Sequence, residues 1–263
     1  ANIAHGTNSI VATKMALKLR DYAVVEAGFA SDLGAEKFFD IACRLAGLSP
    51  SAVVLVTSIR ALKHHGGVSK EALSQENLQA LALGLENLEA HLDILSNFGL
   101  PVVIALNKIS SDTEKEVNMV REAAEKRGAR IALSEVWEKG GDGGIELARE
   151  VLAATEENKT YKPLYNLDLP LREKIKTIAT KIYGADDVEY TPQALSTVKD
   201  LEERGFGKLP VCMAKTQLSI SDDPKKLGRP KNYKINVREV RISAGAGFVV
   251  AICGNITVSY TPL

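Results

Sequence analysis

Cysteine is scarce. The chain's 263 residues hold three, Cys43, Cys212 and Cys253, too few and too widely spaced for a disulfide framework or a Cys-x-x-Cys metal site. They read as buried thiols of a reducing, cytoplasmic setting. Neither charge sign is in excess: Lys plus Arg and Asp plus Glu both total 33, so no net field recruits nucleic acid, an anionic membrane or an acidic partner. Any ligand must be held by local chemistry. The longest apolar runs, Ala52 to Val56 and Pro101 to Leu106, fall far short of the roughly 20 residues of a membrane-spanning helix. The opening Ala1-Asn2-Ile3-Ala4-His5-Gly6 lacks a basic region followed by an apolar stretch, and reads like the middle of a domain. Chemical signatures are missing too. A phosphate-cradling loop needs two glycines ahead of Lys and Ser or Thr, but the only Gly-Lys pair, Gly207-Lys208, is followed by Leu209 and has Glu202 at the upstream glycine position. There is no Gly-x-Ser-x-Gly elbow and no His-Glu-x-x-His helix.

What is present is the composition of a soluble globular protein, 45% apolar and 25% charged, with an α/β rhythm. Ser9 to Arg20 is helix-like, Tyr22 to Val25 strand-like, Gly34 to Leu45 helix-like and Ala52 to Val56 strand-like, which predicts parallel βαβ units. Ser69 is placed to cap a long leucine-rich helix reaching about Asn97, which Gly99 and Pro101 stop before the strand Pro101 to Leu106. Ser111-Asp112-Thr113-Glu114 reads as a capping box for a charged helix to about Arg127. Ile131 to Leu133 is a short strand, Ile145 to Ala154 a helix, and the polar stretch from Thr155 to Lys162 a surface connection. Leu171 to Tyr183 and the segment opened by Thr191-Pro192 are helical. Beyond them, Tyr233 to Ile242 alternates polar and apolar and Phe248 to Ile252 is apolar, predicting a small sheet.

Several residues can carry chemistry. Asn107-Lys108 follows an apolar strand, where an amide and an ammonium can address a polar ring edge; a plain helix-opening turn reads equally well, and Ser110 stands where a guanine-reading motif needs aspartate. Trp137, the only tryptophan, can stack on a flat heterocycle or pack in a core. The run Gly140 to Gly144 can offer amides to an anion or simply turn the chain. Arg60, Lys63 and His64-His65-Gly66-Gly67 form a cationic loop suited to carboxylate or phosphate, with no ligand spacing for zinc. Lys215, Thr216, Ser219 and Gly228-Arg229-Pro230 either line a nucleotide pocket or form capped surface turns.

Taken together, Ala1 to Gly6, Glu26 to Phe39 (with Gly28-Phe29-Ala30-Ser31-Asp32-Leu33-Gly34-Ala35-Glu36), Arg60-Ala61-Leu62-Lys63 with His65-Gly66-Gly67, and Leu209 to Thr216 resemble formate–tetrahydrofolate ligase. Asn107-Lys108, Trp137-Glu138-Lys139-Gly140-Gly141 and Gly228-Arg229-Pro230 fall between them in the right order. The resemblance covers nearly the whole chain and implies an α/β fold: residues 1–89 as the remainder of a nucleotide-binding parallel βαβ domain, 90–190 as a second α/β domain, and 191–263 as a small carboxyl-terminal α+β domain. It implies ligation of formate and tetrahydrofolate to 10-formyltetrahydrofolate with ATP and Mg2+ and a monovalent cation, K+ or NH4+, in a cytoplasmic homo-oligomer. The site residues it implies are Phe29, Asn107, Lys108, Ile109, Leu133 and Trp137 for the folate and formyl groups, and Lys215, Thr216, Ser219, Arg229 and Pro230 for the nucleotide. No metal ligand is implied on this chain. The family's phosphate loop lies upstream of the matched region, so the expected unit is a carboxyl-terminal part, inactive without an N-terminal half as partner. The alternative is a non-catalytic folate-binding or assembly module. Two departures bear on it: Ile109 stands where the family commonly has phenylalanine, and after Gly254-Asn255-Ile256 the chain leaves the family's Pro-Gly-Leu-Pro continuation.

Overall fold

The computed structural model describes residues 7–254, so the Ala1 to Gly6 segment and the departure after Gly254 lie outside the described residues. In chain order the elements are α1 (Ile10–Leu19), α2 (Arg44–Ala46), β1 (Val53–Thr57), α3 (Ile59–His65), α4 (Leu78–Ser96), β2 (Val102–Asn107), α5 (Glu114–Lys126), β3 (Arg130–Ser134), α6 (Val136–Lys139) and α7 (Ile145–Thr155). They continue with α8 (Leu171–Lys181), β4 (Asp187–Tyr190), α9 (Pro192–Glu203), β5 (Val211–Ala214), β6 (Lys234–Ser243) and β7 (Phe248–Cys253). The class is α/β, as expected: one parallel three-stranded sheet and one mixed four-stranded sheet, each packed against helices. By contact the chain forms two units, one from residues 7–48, 163–226 and 230–254, the other from Ser49–Lys162 with Leu227–Arg229. Residues 89 and 90 are consecutive within α4.

In the unit Ser49–Lys162 the strand order is β1-β2-β3, all parallel. Strand β2 lies centrally, and Val103, Ile104, Ala105 and Leu106 are buried in succession, as a strand covered on both faces requires. The leucines of α4 divide by helical phase: Leu81, Leu88, Leu92 and Leu95 face inward while Leu83 is exposed. Two helix starts differ from expectation. Asn77, not Ser69, caps α4 by accepting from the Ala80 amide, because Lys63 Nζ donates to the Gln75 carbonyl and draws the preceding turn inward. Helix α5 is capped two residues later than expected: Thr113 and Glu116 form the box, since Asp112 turns back to the Ile109 amide.

Helix α3 lies close against α4. A Cβ on Gly84 would stand 1.8 Å from the Leu62 carbonyl oxygen, and one on Gly66 1.8 Å from that of Ala80. The histidine-glycine loop therefore serves helix packing, with His64 Nδ1 3.1 Å from the Val68 carbonyl oxygen and the Gly228 amide donating to His65 Nδ1 at 3.2 Å.

In the other unit the sheet order is β4-β6-β7-β5; β4 pairs parallel to β6, β5 parallel to β7, and β6 with β7 antiparallel. The alternation of β6 buries Ile235, Val237 and Val240. Ile41, Cys212 and Phe248 form a core cluster, and all three cysteines are buried free thiols. The expected helix over 34–45 exists in altered form, as π-helical turns at Ala30–Ala35 and Phe38–Cys43 that run into α2. The expected strand Tyr22 to Val25 does not form. Val24 is 93% exposed, and an extended segment pairs stably only where a neighbouring strand takes its amides.

Candidate functional site

The carboxyl ends of β2 and β3 lie side by side, with Leu106 opposite Leu133 and Asn107 opposite Ser134. Pairing runs one residue further, where the Lys108 amide donates to the Ser134 carbonyl at 3.0 Å. Parallel strands point both following loops to one side of the sheet, so Asn107, Lys108 and Ile109 emerge beside Glu135, Val136 and Trp137. Crevices of open α/β sheets form at that edge.

Each loop is braced. Asp112 Oδ2 accepts from the Ile109 amide at 2.9 Å while the Asp112 amide donates to the Ile109 carbonyl at 3.0 Å, closing a turn that holds Ile109. Burial pushes the Asp112 carboxyl up. Glu116 lies beneath: its Oε1 accepts from Lys63 Nζ at 2.8 Å and the Asn77 amide at 3.2 Å, and its Oε2 from the Thr113 amide at 3.1 Å. Burial raises this carboxyl, but those donors outweigh it and leave it below its usual range.

Beyond β3, α6 presents Trp137 with 90% of its surface exposed. The Glu138 and Lys139 amides donate to the Glu135 carbonyl, and the Glu135 amide donates to Gly143 at 3.0 Å. A Cβ on Gly143 would sit 2.5 Å from that same Glu135 carbonyl, so a glycine at this position lets the turn close against α6. Side chains tie the two loops together: Lys108 Nζ is 3.2 Å from Glu114 and 3.7 Å from Glu135, whose other oxygen accepts from Lys139 at 2.6 Å. That bond from Lys139 holds the Glu135 carboxyl below its usual range, so it is ionised at neutral pH.

Five of the expected folate residues, Asn107, Lys108, Ile109, Leu133 and Trp137, thus share one sheet edge. The sixth, Phe29, belongs to the other unit, 64% exposed, with its carbonyl accepting from the Gly34 amide at 2.9 Å. Ala30 beside it holds φ at +61°, a left-handed conformation costly to an L side chain. The expected nucleotide residues also divide. Arg229 pairs with Asp93 at 2.8 Å within the unit Ser49–Lys162, whereas Pro230 begins the return to the other unit. Lys215 is sealed from solvent: its ammonium is 2.7 Å from Asp32 and donates to the Thr216 and Ser219 carbonyls, with the Tyr183 ring 5.0 Å away. Three partners account for its three protons. Burial lowers its pKa. The Ser219 hydroxyl is 2.9 Å from that of Ser221 and donates to the Lys226 carbonyl, and Thr216 Oγ1 accepts from the Leu218 amide.

Glu135, Asp112 and Glu114 were not among the expected site residues, though each shapes this edge. The four-residue spacing from Glu135 to Lys139 across a one-turn helix was the local signal available for the first. Among known protein families, the model described as Formate–tetrahydrofolate ligase matches residues 1–259.

Proposed function

Because the chain belongs to the formate–tetrahydrofolate ligase family, we infer that it supplies the folate-binding wall for synthesis of 10-formyltetrahydrofolate, at the carboxyl edge of β1, β2 and β3. The observation that carries this reading is Trp137, a large indole left 90% exposed on a turn braced from two sides. A rigid aromatic face in that setting suits a flat heterocycle. Ile109 and Leu133 supply the apolar floor and Asn107 and Lys108 the polar contacts, while Phe29, on the other unit, is kept as a separate candidate for the formyl group. Lys215, Thr216, Ser219 and Pro230 remain the nucleotide candidates on one unit and Arg229 a separate one on the other, with the condition that the buried bonds of Lys215 open before its amine can meet a phosphate.

In the reaction the family name implies, formate oxygen attacks the γ-phosphorus of ATP with departure of ADP. A folate nitrogen then attacks the formyl carbon with departure of phosphate. The residues of this chain orient the folate and shield it from water. They do not fit the phosphoryl step. The sequence has no phosphate-cradling loop, and among the described residues no three His, Cys, Asp or Glu side chains converge to hold a metal. The phosphoryl step calls for a phosphate-cradling loop outside residues 1–263, so residues 1–263 by themselves should not turn over. No helix among the described residues is long and apolar enough to cross a membrane.

Since Trp137 is the only tryptophan, its fluorescence reports the site directly. Saturable quenching by tetrahydrofolate, without product when ATP and formate are added, is expected of residues 1–263; unchanged emission at millimolar folate overturns the folate reading, and product from residues 1–263 alone overturns the requirement for a phosphate loop outside them.

A further inference from the structure

We propose that Glu135 is the specificity-determining carboxylate of this edge, accepting the paired N–H donors at the rim of a heterocycle stacked on Trp137. The proposal rests on the folate reading and names the part of folate concerned, the 2-amino-4-oxo pyrimidine ring of the pterin. That ring presents an exocyclic amine beside a ring N–H, two parallel donors that match a carboxylate as a guanidinium does.

Three observations support this role. The first is free capacity. Glu135 Oε2 accepts from Lys139 at 2.6 Å, but Oε1 meets Lys108 only at 3.7 Å, beyond hydrogen-bond length, because that ammonium leans to Glu114 at 3.2 Å. Oε1 can therefore accept, and each carboxylate oxygen has two lone pairs. The second is access, since the side chain is about one-fifth exposed, with relative exposure of 21%. The third is fixed placement. The Glu135 amide is bonded to Gly143, its carbonyl receives the Glu138 and Lys139 amides, and the Gly143 contact at 2.5 Å admits no side chain there, so carboxylate and indole ride on one rigid turn.

The local charges select for donors rather than anions. Lys108 and Lys139 stand among Glu114, Glu135 and Glu138, and Glu135 stays ionised under the Lys139 bond. An anionic group placed against Glu135 meets excess negative charge, whereas the N–H edge of the pterin finds an acceptor there and leaves the glutamate tail of the folate directed away from it.

The test is Trp137 fluorescence titration of the full chain with tetrahydrofolate and with its 2-desamino-2-methyl analogue, which lacks the exocyclic amine. The native chain should prefer the amino compound by roughly 10- to 100-fold, the range of a charge-assisted hydrogen bond. Glu135→Gln should abolish most of that preference, while Lys139→Met, which breaks the 2.6 Å bond but keeps the carboxylate, should retain it. A purely structural Glu135 gives another pattern: both ligands weaken together in Glu135→Gln, the ratio is unchanged, and the proposal is overturned while the folate reading stands. If neither compound changes the emission of the native chain, the folate reading itself fails and takes this proposal with it.

Discussion

The indole of Trp137 contributes little to stability where it stands, because a side chain that is 90% exposed in the folded chain has almost no area left to lose. Trp137→Ala should therefore leave the melting temperature nearly unchanged while weakening tetrahydrofolate binding by about 1 to 3 kcal/mol, as read by calorimetry. A tryptophan packed in a core behaves otherwise, costing about 3 to 5 kcal/mol of stability on the same truncation. A lowered melting point would remove the groove assignment. Ile109 allows the converse experiment. Its backbone is pinned by Asp112, so an aromatic side chain can be exchanged there without moving the turn. Ile109→Phe should strengthen folate binding by up to about 1 kcal/mol through a second ring face, and an equal or weaker affinity would show that Ile109 does not line the groove. That both residues would share one sheet edge was legible, because each follows a short apolar run. Glu135 was not, because its contact with Lys108 joins two loops 27 positions apart in sequence.

Among the elements, β1, β2, β3, β6 and β7 were legible, Tyr22 to Val25 was misread as a strand and β4 was missed; the starts of α1 and α9 were placed correctly, those of α4 and α5 were not. The reason is visible at α4 and α5. Hydroxyl, amide and carboxylate side chains crowd both starts, and which of them caps is decided by Lys63 and Glu116, a fully buried ion pair that pulls the two turns together. Local spacing cannot see that partner. Close helix packing is also hidden in the sequence, where Gly84 looks like a weak spot in a leucine-rich helix. On an exposed helix, Gly→Ala stabilises by about 0.5 to 1 kcal/mol. At position 84 the sign should reverse, because the added Cβ meets the Leu62 carbonyl oxygen at 1.8 Å and backbone cannot swing aside as a side chain can. Overpacking of this kind costs about 1 to 3 kcal/mol or more. Urea denaturation of Gly84→Ala is the measurement, and a stability equal to or above that of the parent would mean that α3 and α4 do not meet at this point.

For the whole molecule, the two-unit arrangement was only partly written locally. The polar stretch expected as a connection ends where the chain passes to the other unit, at Lys162, but the return of Leu227–Arg229 had no signal. It depends on Asn87 donating to the Gly228 carbonyl, Gly228 donating to His65, and Arg229 pairing with Asp93. Balanced composition likewise conceals that carboxylates lie inside. Asp32, Glu36 and Asp40 are all buried; Asp32 has Lys215 and Asp40 has Arg44, but among the described residues neither Glu36 oxygen has a hydrogen-bond partner, and Lys37 stands 3.9 Å away. Burial pushes the Glu36 carboxyl from 4.5 up to about 8, and Asp40 from 3.8 to about 6. Below pH 4 or so Glu36 is neutral in both folded and unfolded chains. Between about 4.5 and 8 the unfolded chain gives up that proton while the folded chain keeps it, so folding loses at most about 1.4 kcal/mol per pH unit from this group. Asp40 acts in the same direction at lower pH. Lys174, lowered by burial from 10.5 to about 8, acts in the opposite direction above pH 8, where the folded chain sheds a proton that the unfolded chain retains. The unit holding residues 30–43 should therefore soften from pH 5 to 8, with Lys174 opposing further loss above pH 8. Hydrogen exchange, corrected for its intrinsic pH dependence, should show protection over 30–43 falling across that range while α4 in the other unit holds steady. Glu36→Gln cannot ionise, so it should flatten most of the slope and leave the chain more stable than its parent at pH 8. Parallel pH profiles for the two proteins would mean that Glu36 is ionised in the folded chain, with a partner for its charge.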